Sequence, residues 1–229
     1  MSQERNAEEM RADYVAKMGQ DLGELFCAVS TELTWVHWRW EQLRILFADK
    51  ASRVDLLNEC APHFFYIVQR VLFEDALLGI ARLVGPPASC GKPNLTVQRF
   101  PSLVKSDLQG EVQELVKRAK GSTGFAFDWR NRQIAHLDLD LNLGRDAHPL
   151  APATRTKVEN SLSALRDILN RIELEYCGTS TAYTHVFAAG DAETLLYVLR
   201  DGLQHQRDKY ERLKRGEIDA KDLEPGEEI

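Results

Sequence analysis

Apolar residues recur in steps of three and four from Leu22 onward, at Leu22, Phe26, Val29, Leu33, Val36, Trp40, Leu43 and Phe47. That spacing marks one face of a long helix. Trp35 and Trp38 widen the apolar side. The period accounts for most of these positions, so the aromatic run beside Arg39 reads as core rather than as a platform for stacked bases. His37 reads as a partly exposed helix residue. A second helix is expected over roughly 52–83, with Leu57, Ala61, Phe65, Val68, Leu72, Gly79 and Leu83 on its stripe. Pro62 either kinks that run or marks a later start. A helix over about 108–120 turns Val112, Leu115 and Val116 inward. The run GSTG, Gly121 to Gly124, breaks or bends the chain, and 125–139 reads as helical again. A helix over about 154–176 carries Val158, Leu162, Leu165, Leu169, Ile172 and Tyr176 on a clean stripe. Asp191 reads as the N-cap of a last helix that grows more charged after Gly202.

The segments between are turn-rich. VGPPASCGKPN, Val84 to Asn94, reads as a loop, and its Gly-Lys-Pro lacks the preceding glycine spacing of a phosphate loop. Asn94 or Thr96 is expected to cap the helix that follows. NLGRDAHPLAPAT is a second loop. STAYTHVFAAGD is the one β-like stretch, short and alone, and reads as an extended connector or edge hairpin with a structural His185. The expected fold is all-α. It is an up-and-down helical bundle over 1–178, a connector and extra helix over 179–215, and a disordered acidic tail over 216–229.

Composition narrows the function. The chain has 229 residues, 44% of them hydrophobic and 28% charged, enough to bury a core without disulfides or metals. A net charge of −6 disfavours a broad nucleic-acid surface, so any RNA contact has to be local, in a cleft that gathers arginines. Cys27, Cys60, Cys90 and Cys177 form no CxxC pair and none has zinc spacing to a histidine, so reduced thiols are expected, with no metal and no cofactor. The polar, acidic start is no signal peptide, and no apolar run is long enough to span a membrane. A cytoplasmic protein without a membrane partner is the expectation.

The stretch WRNRQIAHLD, Trp129 to Asp138, carries the candidate chemistry. On an ideal helix Arg132 and His136 share a face, while Arg130 lies about 120° from His136. Arg130 and His136 can still converge on one ligand if the helix bends or if two subunits meet. Ile134, Leu137 and Leu141 are expected to supply the buried face. Asp75 and Arg82 lie near the stripe of the second helix, too far apart to pair with each other. They are either charges at the stripe's edge or groups aimed at a polar site. Histidine passes protons near neutrality, and arginine holds phosphate oxygens through paired hydrogen bonds. Such a pair can cleave RNA without a metal, because the 2′-hydroxyl attacks the adjacent phosphate once a base removes its proton. On spacing alone the signal is weak, since an arginine and a histidine within one helix turn are common and are usually surface residues or fold-stabilising contacts.

RNRQIAHLD resembles the motif of the HEPN superfamily (higher eukaryote and prokaryote nucleotide-binding domains): an arginine, often a polar residue next, then a histidine after four to six intervening residues. Arg130, Asn131 and His136 match it, with five residues between Arg130 and His136. The order of DALLGIARLVGPP, GKPNLTVQRF, WRNRQIAHLDLD and GDAETLLYVLRDG, over roughly 74–202, is similar to AbiU-type HEPN proteins of bacterial abortive-infection systems. The resemblance implies a helical bundle that forms a homodimer, with the two motifs facing each other in one cleft. It implies a metal-independent endoribonuclease of phage defence or toxin–antitoxin function, acting on an RNA substrate and open to an antitoxin or defence partner protein. Carried over by position, Arg130 would bind and stabilise the phosphate, Asn131 would orient it, and His136 would act as acid or base. Arg132, Asp75 and Arg82 are weaker, supporting candidates. The alternative is an inactive HEPN module that binds a nucleotide or a partner protein.

Overall fold

A computed structural model describes residues 6–145, 148–183 and 190–218. The fold is an all-α helical bundle, with one two-stranded antiparallel hairpin among the described residues. Residues 184–189 of the connector, His185 among them, and residues 219–229 of the acidic tail lie outside the described residues.

The chain opens with α1 (Ala7–Met18), which the apolar period does not announce. Its signal is local. Asn6 accepts a hydrogen bond from the Glu9 amide at 2.9 Å, and the Glu9 carboxylate accepts from the Asn6 amide at 3.1 Å. This reciprocal capping box satisfies two amides that the first helical turn would leave unpaired. α2 (Gln20–Phe47) follows after Gly19, whose φ of 84° suits a residue without a Cβ. Leu22, Phe26, Val29, Leu33, Val36, Trp40 and Leu43 are all buried, as the period predicts. At the far end Leu46 is buried and Phe47 only half-buried.

The helix expected over 52–83 is two helices, α3 (Ala51–Cys60) and α4 (Pro62–Val84). Ala61 has φ −160° and ψ 75°, outside the helical region. The residue before a proline is pushed out of that region, and Pro62 is then well placed at the first position of a new helix. α5 (Ser106–Ser122) buries Val112 and Val116, and α8 (Arg155–Cys177) buries Val158, Leu162, Leu165, Leu169 and Ile172. The two run antiparallel. Lys105 reaches Glu175, Glu111 lies 2.8 Å from Arg171, Arg118 lies 2.8 Å from Asp167, and the Ser161 hydroxyl donates to the Ser122 carbonyl at 3.1 Å. The exposed pairs set register more than stability, since such pairs contribute about 0–1 kcal/mol each. Between Arg171 and Glu175 the buried Glu173 carboxylate accepts hydrogen bonds from Tyr14 at 3.2 Å and Thr181 at 2.9 Å, which ties α1 and the segment after Cys177 to α8.

The chain divides into two compact units. One comprises residues 1–41 and 70–186, the other 42–69 and 187–229. In the second, α9 (Ala192–Lys214) is capped by Asp191 as expected. It packs on α3, where Arg207 Nη2 holds both Glu59 oxygens at 2.5 and 2.6 Å. Among the described residues no helix is long and apolar enough to cross a membrane.

His37 corrects its expectation. It is 7% exposed rather than partly exposed, and its ring stacks on Tyr183 with centroids 5.8 Å apart. Tyr183, itself buried, shares a 2.8 Å hydrogen bond with Ser30. Burial, reinforced by the charge of Arg166 and opposed by a backbone hydrogen bond at Leu162, lowers the His37 pKa to about 4. The folded chain therefore keeps this ring neutral at pH values where an unfolded one, with pKa near 6.5, takes up a proton. Its contribution to stability is full above pH 6.5 and is lost as the pH falls toward 4. By pH 5 the expected loss is about 2 kcal/mol. Urea midpoints at pH 7 and pH 5 check this, and His37→Phe, which keeps a ring against Tyr183, should flatten the acid limb. Equal losses in wild type and variant would refute the assignment.

Candidate functional site

The segment expected as one helix over 125–139 is not one. α6 (Gly124–Trp129) runs into a π-helical turn, Arg130–Ile134, in which the Ala135 amide donates to the Arg130 carbonyl at 2.8 Å. A bond across five residues widens the turn, and such turns are frequent at functional positions. Regular structure then stops until α7 (Leu139–Asn142), which Asp138 caps through the Leu141 amide at 2.9 Å. The ideal-helix geometry that put Arg132 and His136 on one face therefore does not apply. The expected buried face is also absent: Leu137 is 69% exposed, Ile134 and Leu141 are half-buried, and His136 and Asn131 are exposed.

What holds the turn is a set of polar ties from its flanks. Trp129 donates through its indole to the Ala151 carbonyl at 2.8 Å and meets Phe73 edge-on at 5.2 Å. Asp128 accepts from the Ala151 amide at 2.8 Å. Arg132 reaches the His148 carbonyl at 2.6 Å, Asp138 at 3.3 Å and Asp128 at 3.5 Å. Arg132 thus pins the segment around 148–151 to the turn. The acidic residue four positions before it was the sequence signal for this role. Among the described residues, the side chains of Arg130, Asn131 and His136 have no such tie. The tied side chains of Asp128, Trp129, Arg132 and Asp138 thus bracket the free ones on both sides. Arg132→Ala should cost about 1–2 kcal/mol locally and speed amide exchange at Ala151. Unchanged exchange together with lost activity would make Arg132 a substrate ligand instead.

Arg130 faces a groove of ≈ 430 Å³ that it shares with Arg82, from the last turn of α4. Glu32 is the acidic group of the lining, and it already lies 3.3 Å from Arg39. Arg39 also pairs with Asp75 at 2.5 Å, so Asp75 has the partner its position demanded and stands outside the groove lining. Neither Arg82 nor Arg130 has an ion pair or a side-chain hydrogen bond among the described residues. Ser89, Asn94 and Leu95 form another wall. They sit on and beside a short hairpin, β1 (Ala88–Ser89) with β2 (Lys92–Pro93), inside the segment read as loop. That wall is stitched to the end of α4. The Thr96 hydroxyl, with one proton to give, lies within donor distance of the carbonyls of Leu83 at 3.0 Å and Gly85 at 2.7 Å, and Gln98 donates to those of Val84 and Gly85. These side chains satisfy carbonyls that a helix end leaves open. Thr96 is the N-cap of a 3₁₀ turn, Val97–Ser102, rather than of an α-helix. Arg99 and Asn94 close the hairpin base through the Pro87 and Pro86 carbonyls. The structure therefore brings Arg130 and Arg82 together, while His136, Asn131 and Asp75 are not part of that lining. Glu32, Ser89 and Leu95 carried no sequence signal, and Asn94 stood out only as a candidate cap. Among the described residues no three His, Cys, Asp or Glu side chains gather as metal ligands.

A family model, HEPN_AbiU2, described as AbiU2, matches residues 19–195. The chain belongs to the AbiU2 family of HEPN proteins. The match spans α2 to the start of α9 and so takes in the whole HEPN motif and both walls of its groove. No curated protein and no solved structure matches this AbiU2-family chain.

Proposed function

We propose that this HEPN protein is a metal-independent endoribonuclease of the abortive-infection or toxin type, cytoplasmic, and active as a homodimer. The observation that carries the reading is the arginine of the motif, without an ion pair or side-chain hydrogen bond among the described residues and lining a groove, on a π turn flanked by the tied side chains of Trp129 and Arg132. In the proposed reaction a base takes the proton of a ribose 2′-hydroxyl, and the oxygen attacks the adjacent phosphate. The bond to the 5′-oxygen breaks, leaving a cyclic phosphate and a free 5′-hydroxyl. Arg130 stabilises the charge that grows on the phosphate oxygens. His136 moves the proton. Asn131 orients the phosphate.

The exposure of His136 and its place outside the Arg130 groove support a site completed by a second copy, with the histidine of one chain serving the arginine of the other. Three exposed leucines beside the motif, Leu137, Leu139 and Leu143, offer apolar surface for that contact. The test is RNA cleavage with chelator present, on size-fractionated dimer. Cyclic-phosphate or 3′-phosphate ends are expected, and DNA of the same sequence should stay intact. A dimer that leaves single-stranded and transfer RNAs whole refutes the nuclease reading.

A further inference from the structure

The groove itself carries a second assignment. Two guanidiniums from different elements, Arg82 on α4 and Arg130 on the π turn, share one space without a counter-ion of their own among the described residues. Like charges in a shared cleft repel, and the one carboxylate of the lining, Glu32, is already held by Arg39. In a chain of net charge −6 this is a local surplus of positive charge. A cleft of one sign concentrates ions of the other. Its size, ≈ 430 Å³, lies within the range of small-ligand sites. In the same lining, Leu95 and Pro86 give apolar surface, and Ser89 and Asn94 give polar groups.

We propose that this groove is a strand-binding subsite in which Arg82 holds a backbone phosphate adjacent to the one held by Arg130, with the hairpin wall against the intervening nucleoside. Arg82 is then a binding residue that sets where the strand lies, and it takes no part in proton transfer. The assignment rests on the RNA reading above, but it concerns binding and can be measured without cleavage.

The probe is a short fluorescent single-stranded oligodeoxynucleotide, which lacks the 2′-hydroxyl and cannot be cut by the proposed reaction. Anisotropy titrations over a salt series should show Arg82→Ala binding at least about tenfold more weakly. Its slope of log affinity against log salt should be shallower by about 0.7, the value for one lost contact to a single strand. Arg82→Lys keeps a point charge without the fork and should hold most of the slope while losing part of the affinity. Lys117→Ala, at an exposed cation on α5, should change neither. Arg82 is exposed, and an unchanged melting temperature excludes misfolding as the cause. If Arg82→Ala binds with wild-type affinity and slope, or if wild type does not bind the probe at low salt, the subsite is overturned. If adenosine monophosphate displaces the probe with the same Arg82 dependence at comparable concentration, the groove is a mononucleotide pocket and the strand assignment falls. A wild type that binds with Arg82 dependence yet leaves RNA whole sinks the nuclease reading and keeps the subsite. A wild type that cuts, with Arg82→Ala binding and cutting alike, does the reverse.

Discussion

Replacing His136 with alanine is expected to lower RNA cleavage by about 10²–10⁴-fold, the usual worth of a positioned proton carrier. The fold should not notice. The side chain is exposed, with no hydrogen bond or ion pair among the described residues, so the melting temperature should stay within the small range of surface substitutions. Arg130→Ala should cost a comparable factor for a different reason, the loss of charge stabilisation on the phosphate. Arg130→Lys should recover little of it, because an ammonium lacks the guanidinium fork. Mixing the two inactive proteins, His136→Ala with Arg130→Ala, gives heterodimers that restore one intact site if each site draws its two groups from different chains. Equal cleavage by wild type and His136→Ala would end the assignment of that histidine.

The second large effect concerns stability. Gly23→Ala should destabilise the protein by about 3 kcal/mol, at the top of the usual range for overpacking. Gly23 is buried in the first turn of α2, and a Cβ there would lie 2.6 Å from the Val15 Cα and 2.7 Å from the Tyr14 carbonyl. Those atoms are backbone of α1, so no side chain can swing away, and two helices would have to separate. Gly110→Ala is the contrast. It lies inside α5 with nothing within 4 Å of the added methyl, and it should stabilise by about 0.5–1 kcal/mol through the helix preference of alanine. Chemical denaturation of both variants beside wild type decides the matter. A mild Gly23→Ala would mean that α1 is not held against α2.

The long helices were legible because burial and period are the same fact seen twice. Leu22 through Leu43 and Val158 through Ile172 recur at the helical step because they line a core. Where structure depends on hydrogen bonds between particular atoms, hydropathy is silent. α1 has little apolar pattern, and its evidence was the pair Asn6 and Glu9, visible only to a reader looking for a capping box. His37 read as half-exposed because polar type outweighed its place next to Val36, whereas the fold buries it against Tyr183, far along the chain. The motif residues stood out by type, but their arrangement did not. The π turn follows from ties at Asp128, Trp129 and Arg132 to a segment some twenty residues later, and no local period records such ties.

The wide turn at Arg130 has a bearing on how this motif tolerates change in length. An α-helix is strict about spacing, since deleting one residue rotates everything beyond it by about 100°. A turn closed across five residues stores one residue more than an α turn. It can give that residue up by relaxing to the ordinary four-residue closure, while its two ends stay fastened through Trp129 and Asp138. Slack of this kind would let the count between the arginine and the histidine drift by one over evolutionary time. Mutational scans of such a segment should then include single-residue deletions, because length, as well as side-chain identity, is something the turn can absorb.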